Sequence, residues 1–179
     1  MSATRAGVPE LEFHPATPAR WADLERLFGA RGALKRLVTS GDEPGILAYA
    51  GREPVGWCSL APRDRFPRLE RSRILRPVDD EAVWSVVCLF VTRERRGQGV
   101  SVALLRAAAE YAASRGARIV EGYPVDPKQT PMPAAFAWTG IASAYREAGF
   151  TEVTRRSETR PIMRWRAGRP RRRSAPSGR

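Results

Sequence analysis

The sequence predicts an α/β (α+β) domain in which about four helices flank a mixed, mostly antiparallel central sheet of about seven strands. A short turn, 51–54, separates two apolar segments, which is typical of an antiparallel hairpin. The nearly unbroken apolar run Val83–Val91 is typical of a strand covered on both faces. An apolar stripe at helical spacing follows Gly99. A chain of 179 residues that is 42% hydrophobic is large enough to bury one core.

The N-terminal half of the chain supplies three strands and two short helices. Pro18 suits the first turn of a helix whose apolar residues recur at helical spacing as far as Phe28. A basic, proline-punctuated stretch, 61–80, follows the hairpin, and we expect it to be a surface insertion with one brief amphipathic helix. The predicted elements are the strands 11–13, 46–50 and 55–60 and the helices 18–28 and 34–38.

The C-terminal half supplies four strands and two longer helices. We expect the helix after Gly99 to stop near Gly116, because glycine readily adopts the left-handed conformation that caps helix C-termini. Gly149 occupies the corresponding position after the second helix. The predicted elements are the strands 83–91, 117–123, 152–157 and 162–166 and the helices 101–115 and 134–148.

The formal net charge of +12 is concentrated at the C-terminus. Seven arginines and no acid lie between Arg164 and Arg179, so more than half of the excess comes from this end. Residues 167–179 have no apolar periodicity, so burial cannot offset the entropy that ordering would cost. We therefore predict a folded domain, 1–166, and a disordered tail, 167–179. The tail either solubilises the protein or binds an acidic partner, and nucleic acid binding is expected only through it.

Cysteine usage and hydropathy predict a cytoplasmic protein. Cys58 and Cys88 have no histidine pair nearby, which favours two reduced thiols over a disulfide framework or a zinc site. No apolar run approaches the roughly 20 residues that a membrane-spanning helix needs. The first residues carry Glu10 and Glu12 instead of the hydrophobic region of a signal peptide. We expect no bound metal and no membrane association.

The segment Arg95–Ser101 joins the predicted buried strand to the next helix and is the most informative motif. The first amides of a helix lack partners inside the helix, and together with the positive end of the helix dipole they form an anion site. Gly97 and Gly99 let a phosphate approach the backbone, and Arg95 and Arg96 add cations suited to a pyrophosphate. The segment has neither the Gly-Lys-Ser/Thr of an ATP-binding P-loop nor the third glycine of a dinucleotide fingerprint.

The motif Arg96-Gly97-Gln98-Gly99-Val100-Ser101 resembles the Arg/Gln-x-x-Gly-x-Gly/Ala signature of the GNAT acetyltransferases, with serine at the last position. The element order over residues 11–166 is similar to that of the family. The resemblance implies a GNAT-type sheet splayed between its fourth and fifth strands, with acetyl-CoA as co-substrate. It implies that the fourth strand holds the pantetheine arm and that the loop holds the pyrophosphate. The implied cofactor-binding residues are Leu89, Phe90, Val91, Arg95, Arg96, Gly97, Gln98, Gly99, Val100 and Ser101.

By the same resemblance, a primary amine of a small molecule or peptide attacks the thioester directly, with a base for the amine and an acid for the thiolate. Tyr145 matches the family's acid, four residues before a Gly-Phe pair; the alternative is that it only packs on its helix. We prefer Glu121 as the base because it interrupts a strand expected to flank the cleft, although it could also face the surface. Glu81 acting through a water, and an amine that arrives neutral, remain alternatives. Direct attack gives Cys88 no role as a nucleophile.

Aromatic and acidic residues on the elements that line the acceptor side in the family would suit a cationic amine. The candidate substrate-binding residues are Trp57, Trp84, Tyr123, Asp126 and Trp138, and core packing is the alternative for the aromatic ones.

Two other functions compete with acetyl transfer. One is a CoA-binding sensor without turnover, suggested by the lack of a carboxylate in the fourth strand, and the other is nucleic acid binding. A homodimer is a further expectation from the family.

Overall fold

A computed structural model describes residues 10–29, 43–127 and 139–168, which form one seven-stranded mixed sheet with helices packed against it. The strands are β1 (Leu11–Pro15), β2 (Gly45–Ala50), β3 (Glu53–Pro62), β4 (Trp84–Val91), β5 (Ile119–Gly122), β6 (Thr151–Arg155) and β7 (Pro161–Arg166). The helices in these ranges are α1 (Trp21–Phe28), α2 (Pro67–Glu70), α3 (Val100–Ser114) and α4 (Ala142–Glu147). The predicted fold class is confirmed.

The strand order is β1-β2-β3-β4-β5-β7-β6, and every neighbouring pair is antiparallel except β4 and β5. The parallel pair is brought about by α3, which leaves the end of β4 and returns the chain to the start of β5. None of the helices in the described ranges is long and apolar enough to cross a membrane.

The sheet splays between β4 and β5, as the family resemblance implies. Only 84–86 of β4 pair with 120–122 of β5, whereas β4 continues to Val91. Just after the paired part, β4 holds one extra residue, because Cys88 lies opposite Ser59 and Val86 lies opposite Leu60. This bulge at Val87 bends the strand where the two strands separate.

The two faces of the sheet carry separate hydrophobic clusters. In β2, Ile46 and Ala48 belong to the larger cluster, which is covered by α3, whereas Leu47 and Tyr49 belong to a second cluster covered by α1. This alternation follows from the two-residue period of a strand. Leu104 and Leu105 of α3 are fully buried, and each such side chain contributes roughly 1.5–3 kcal/mol to folding.

One predicted segment agrees with the structure in part, and another differs. The stretch 61–80 lies mostly at the surface and contains the expected brief helix, α2, but it is anchored, because Arg63 and Leu69 are buried and Phe66 and Leu75 pack around Tyr123 of the sheet. The helix predicted from 134 begins, in the described part, only at Ala142. Gly140 has a φ of +79°, and Ile141 is extended and bridges to Val125, so the backbone before Ala142 is not helical.

Some predicted segments lie outside the described residues. They are the helix 34–38, the first part of the helix 134–148, and the tail from 169 onwards. The predicted disordered tail begins at 167, but Ala167 is part of the described structure. Its amide donates to the carbonyl of Arg118 at 3.0 Å, so the sheet pairing extends to this residue.

Candidate active site

A cleft of about 540 Å³ opens beside β4, where β4 and β5 have separated. Its floor is the outer half of β4, from Cys88 to Val91, and one end is the loop that leads into α3. The opposite wall comes from the start of α4, including Gly140, Ile141 and Ala144, and Phe28 of α1 lies at the rim. The cleft therefore exists because two paired strands diverge and each is followed by a helix.

The loop between β4 and α3 presents backbone amides to this cleft. Gly97 and Gly99 have φ values of +74° and +78°, a region that residues with a Cβ rarely adopt. Gly99 is the N-cap of α3, and no side chain caps the helix. The Ala103 amide donates to the Gly99 carbonyl at 3.1 Å, which is the first hydrogen bond of the helix. The helix amides that precede Ala103 have no partner within the helix and are available to an anion.

Arg95 and Arg96 lie at the same end of the cleft. Arg96 is held in place because its Nε donates to the carbonyl of Val91 at 3.1 Å. Arg95 is within 3.9 Å of Glu53, a loose and exposed ion pair that leaves its guanidinium able to turn towards a ligand. Two cations beside free helix amides make this end of the cleft suited to a polyphosphate.

The structure brings nine of the ten predicted cofactor-binding residues to the wall of this cleft. They are Leu89, Phe90, Val91, Arg95, Arg96, Gly97, Gly99, Val100 and Ser101. Gln98 is the exception, because its side-chain amide turns back and donates to the carbonyl of Glu94 at 2.8 Å. The residues present fit a CoA molecule, with backbone edges for its arm and amides with arginines for its phosphates.

Tyr145 lies where β4 and β5 diverge, but it is fully buried. Its ring is packed between Gly122 and Gly140 and contacts Phe150 edge-on at 5.1 Å. Its hydroxyl donates to the carbonyl of Thr139 at 3.1 Å. Burial raises the pKa of Tyr145 well above its ordinary value, so the phenol stays protonated. To act as an acid, the hydroxyl has to turn from Thr139 towards the cleft.

Glu121 points into a buried polar cluster and not to the surface. Both Nε and Nη2 of Arg164 donate to Glu121 Oε1, at 3.0 and 2.8 Å, and Arg63 Nη1 lies 3.7 Å from Oε2. Tyr123 donates its hydroxyl hydrogen to Oε2 at 3.2 Å. The carboxylate is thus stabilised by two guanidinium groups in a dry environment, where such contacts are strong.

The rest of this polar cluster connects the segment 63–83 to the sheet. Arg164 also donates to Asp79 from both Nη atoms, at 2.6 and 2.8 Å. Arg63 donates to Glu70, to the Leu75 carbonyl and to the Tyr123 hydroxyl, all within 2.8 Å. The Ser85 and Tyr123 hydroxyls lie 2.8 Å apart. These bonds fix the segment over the face of β5 and β7.

The predicted substrate-binding residues are not brought together. Trp57 is buried under Phe28, with ring centroids 5.3 Å apart, and Trp84 packs edge-on against Tyr111 of α3. Tyr123 belongs to the buried polar cluster. Asp126 binds Arg146 and Arg155, and the hydrogen bond from Arg155 is the main cause that lowers its pKa. Trp138 lies outside the described residues.

Sequence reasoning missed several residues of the cleft and of the polar cluster. Arg164 stands between Met163 and Trp165 in an apolar strand, the same signal that singled out Glu121, and Ser85 is the one hydroxyl in the run 83–91. Phe28, Ile141 and Glu147 gave no comparable signal, because only the tertiary fold brings them to the cleft.

The thiols and the acids of the site give no sign of covalent or metal chemistry in the described ranges. Cys88 lines the cleft, but burial raises its pKa to about 11, so it is a thiol and not a thiolate near neutral pH. Cys58 is fully buried. No group of three or more histidine, cysteine or acidic residues with a metal-binding arrangement occurs among the described residues.

Comparison with known proteins agrees with this geometry. The model of the acetyltransferase (GNAT) family matches residues 11–137. Curated protein sequences gave no match. The chain is similar to the solved structure of Arabidopsis thaliana NAA60 in complex with acetyl-CoA, at 15% identity and a TM-score of 0.53, over 88% of this chain and 100% of that one.

Two further solved structures share the fold. The ribosomal-protein-S18-alanine N-acetyltransferase of Escherichia coli is 12% identical over 93% of this chain and 99% of that one, with a TM-score of 0.54. The mosquito arylalkylamine N-acetyltransferase like 5b is 9% identical over 88% of this chain and 100% of that one, with a TM-score of 0.57. The family model spans more than half of the chain and includes the splayed strands and the glycine loop, and the chain belongs to the GNAT acetyltransferase family.

Proposed function

We propose that the protein is an acyl-CoA-dependent N-acetyltransferase that moves an acetyl or short acyl group from acetyl-CoA to a primary amine of a small molecule or peptide. One observation carries the proposal. The amides of the loop 97–101, which lead into α3, and the free edge of β4 face the same cleft. A ligand with a diphosphate at one end and an amide-containing arm at the other fits that arrangement.

In this proposal the loop binds the pyrophosphate, and the edge of β4 after Val86 accepts the pantetheine arm as an added strand. Bound acetyl-CoA supplies the thioester that the amine attacks. The arm runs towards the β4–β5 junction, so the thioester reaches the region between Cys88 and Tyr145. No covalent enzyme intermediate is required, which fits the protonated state of the Cys88 thiol.

Tyr145 and Glu121 remain our proposed acid and base. Tyr145 is next to Gly122 at the junction, and its protonated phenol can donate to a departing thiolate once it leaves the Thr139 carbonyl. Glu121 is one residue from the end of the β4–β5 pairing, opposite Ser85. If both Tyr145→Phe and Glu121→Gln retain full turnover, this assignment of roles is wrong even if the fold is right.

Away from the glycine loop, the described wall of the cleft is largely apolar. Phe28, Cys88, Phe90 and Ile141 line it, and Phe28 and Phe90 pack with ring centroids 4.7 Å apart. The two acids expected to attract a cation, Glu121 and Asp126, are both bound by arginines. We therefore expect an amine on an aromatic or aliphatic group, or a peptide N-terminus with an apolar side chain, to be a better acceptor than a polyamine.

The test is calorimetric titration with acetyl-CoA, followed by a thiol-release screen of arylalkylamines, peptide N-termini, amino acids, polyamines and aminoglycosides. Micromolar binding with release on one amine class supports the proposal. Binding without release on any amine replaces it with the CoA-binding sensor, and no binding overturns it. ATP and NAD, titrated in parallel, are the matched controls for nonspecific attraction to the arginines.

The remaining proposals concern the cellular location of the protein and its binding partners. Two free thiols, Cys58 and Cys88, support a reducing, cytoplasmic location. Nucleic acid binding through the basic tail is tested by deleting 169–179, which should abolish retention on RNA or DNA at low salt. A homodimer is tested by light scattering at the concentration used for turnover.

A further inference from the structure

Most of the excess positive charge that lies before Arg164 is concentrated in one short stretch, residues 65–76, called the basic segment below. The chain has a net charge of +12, and seven arginines with no acid lie from Arg164 onwards, so +5 remains for residues 1–163. The basic segment has five arginines and one glutamate, which gives it +4. Because acids nearly balance the basic residues in the rest of 1–163, this charge is a local feature and not a result of overall composition.

The basic segment has an apolar inner side and a charged outer side. Leu69 is buried in a cluster with Tyr123 of the sheet, and Phe66 and Leu75 pack against that cluster. The five arginines are instead exposed. An exposed guanidinium without a protein partner is available to an anion. Four of them have side chains that form no hydrogen bond or ion pair with a described residue: Arg68, Arg71, Arg73 and Arg76.

The acids near the basic segment do not neutralise its outer side. Glu70 accepts a hydrogen bond from Arg63 Nε at 2.8 Å. Asp79 accepts hydrogen bonds from both Nη atoms of Arg164, at 2.6 and 2.8 Å. Both carboxylates are therefore already bound by arginines of the buried polar cluster. Three exposed acids lie outside the segment, towards β3 and β4 in the chain: Asp64, Asp80 and Glu81.

The backbone of the basic segment is fixed by side chains from outside it. Arg63 donates to the Leu75 carbonyl at 2.7 Å. Arg156, in the turn between β6 and β7, donates to the carbonyls of Arg76 and Pro77. The arginines are therefore presented from a fixed surface, and a ligand that binds them orders less of the chain than it would on a free loop.

The last strand ends beside this part of the structure. Arg164 of β7 binds Asp79, which lies three residues beyond the basic segment. Arg166, the last residue of β7, pairs with Ile119 at the start of β5. Because β5 is parallel to β4, β7 ends at the edge of the sheet where β4 begins. The chain then continues to residues 169–179, which hold five further arginines and no acid, so both basic parts are joined to the same edge of the sheet.

The basic segment is separate from the cofactor cleft. It belongs to the connection between Pro62 and Trp84, where β4 begins, whereas the glycine loop follows Val91 at the other end of that strand. The eight residues of β4 place its two ends more than about 20 Å apart. None of the arginines of the basic segment belongs to the described wall of the cleft. An anion bound at the segment therefore does not take the place of CoA.

We propose that the basic segment and residues 169–179 together bind the phosphate backbone of a nucleic acid duplex. Guanidinium groups form paired hydrogen bonds with phosphate oxygens, and a duplex carries one negative charge per about 1.7 Å of its length. The two basic parts contact one duplex, so each raises the effective concentration of the other, and neither retains the duplex alone. This adds a folded surface to the binding expected through the tail, and it holds or fails independently of acetyl transfer.

The experiment compares the full chain with a segment variant and a charge-matched control, each with three exposed arginines replaced. Fluorescence anisotropy measures the Kd for DNA and RNA duplexes of about 20 base pairs, between about 50 and 200 mM salt. Polyglutamate is tested as a competitor, because it has negative charge but no phosphate, and the melting temperature shows that each variant folds. The segment variant combines Arg68→Gln, Arg71→Gln and Arg73→Gln, and the control combines Arg52→Gln, Arg93→Gln and Arg106→Gln.

We expect the segment variant to bind at least about 10-fold more weakly than wild type at low salt. The slope of log Kd against log salt should fall by up to about 2.7, because up to three phosphate contacts are lost, and the control should keep the wild-type slope. A loss seen with only one of the two duplexes supports the proposal and identifies that nucleic acid as the ligand.

Three results would overturn the proposal. If the segment variant and the control have the same Kd and the same slope, the basic segment does not contact the duplex, and any binding belongs to the tail alone. If polyglutamate displaces the duplex at an equal concentration of charge, the surface recognises acidic chains in general and not phosphate. If the wild-type chain binds neither duplex at low salt, no nucleic acid site exists, whatever the thiol-release screen shows.

Discussion

The ring of Tyr145 lies directly on Gly122, so close that a Cβ at Gly122 would be 2.0 Å from Tyr145 Cε1. Gly122 is the last residue of β5 and pairs with Val86 at the point where the strands separate. The contact therefore leaves no room for a side chain at Gly122 while Tyr145 keeps this position. It explains why β5 ends in a residue without a side chain.

Substitution of Gly122 by alanine should displace Tyr145 and destabilise the protein. Overpacking of this kind costs about 1–3 kcal/mol, because the neighbouring ring cannot move into free space. Gly168→Ala is the matched control, since a Cβ there meets nothing within 4 Å and its φ is not in the left-handed region. Urea unfolding measures both, and equal midpoints for the two variants would contradict the close contact.

Removal of the Tyr145 hydroxyl should reduce turnover strongly but destabilise the protein only slightly. In Tyr145→Phe we expect kcat to fall by about 10²-fold or more if the phenol is the acid. The lost bond to Thr139 should cost only about 1 kcal/mol of folding free energy. Tyr111→Phe, which alters a tyrosine near the end of α3, serves as the control. Unchanged turnover in Tyr145→Phe would show that Tyr145 contributes only packing and is not the acid.

A carboxylate at the start of α3 should compete with the phosphates of CoA. Ser101 lines the cleft in the first turn, so Ser101→Glu places a negative charge where the pyrophosphate is expected. We expect the Kd for CoA to rise at least about 10-fold, which corresponds to 1.4 kcal/mol. The helix dipole favours an acid at this end, so the melting temperature should not fall.

Ser114→Glu, at the other end of the same helix, separates this effect from the added charge itself. It lies far from the cleft, so calorimetry should return the wild-type Kd. A Kd for Ser101→Glu that matches that of Ser114→Glu would show that phosphate does not bind at the start of α3.

Asp79 should make the protein less stable in acid. Its hydrogen bonds from Arg164 lower its pKa from 3.8 to about 2. A lowered native pKa gives stability that is complete above the unfolded value and is lost as the pH falls through the native one. The urea midpoint should therefore fall between about pH 4 and pH 2, and Asp79→Asn should flatten that decrease. Asp80→Asn, an exposed neighbour, should keep the wild-type slope, and a wild-type slope in Asp79→Asn would contradict the prediction.

The strand, glycine loop and helix that form the cofactor side of the cleft were predictable because their signals are local. An apolar run fixes a buried strand, Gly97 and Gly99 permit the positive φ values of the turn, and helical spacing places the next helix. Each of these depends on residues that are adjacent in the chain. The signature and the order of elements then implied the family and the splayed sheet.

Only the tertiary structure decided which charges are in contact. The sequence has 31 basic residues, and nothing local indicates that Arg164, 43 positions away, binds Glu121. That contact arises because β5 pairs with β7, which puts Glu121 directly opposite Arg164. The same holds for Asp126, expected in an acceptor pocket but held by Arg155. Long-range pairing sets the burial and partners of an ionisable group, and these determine what the group can do.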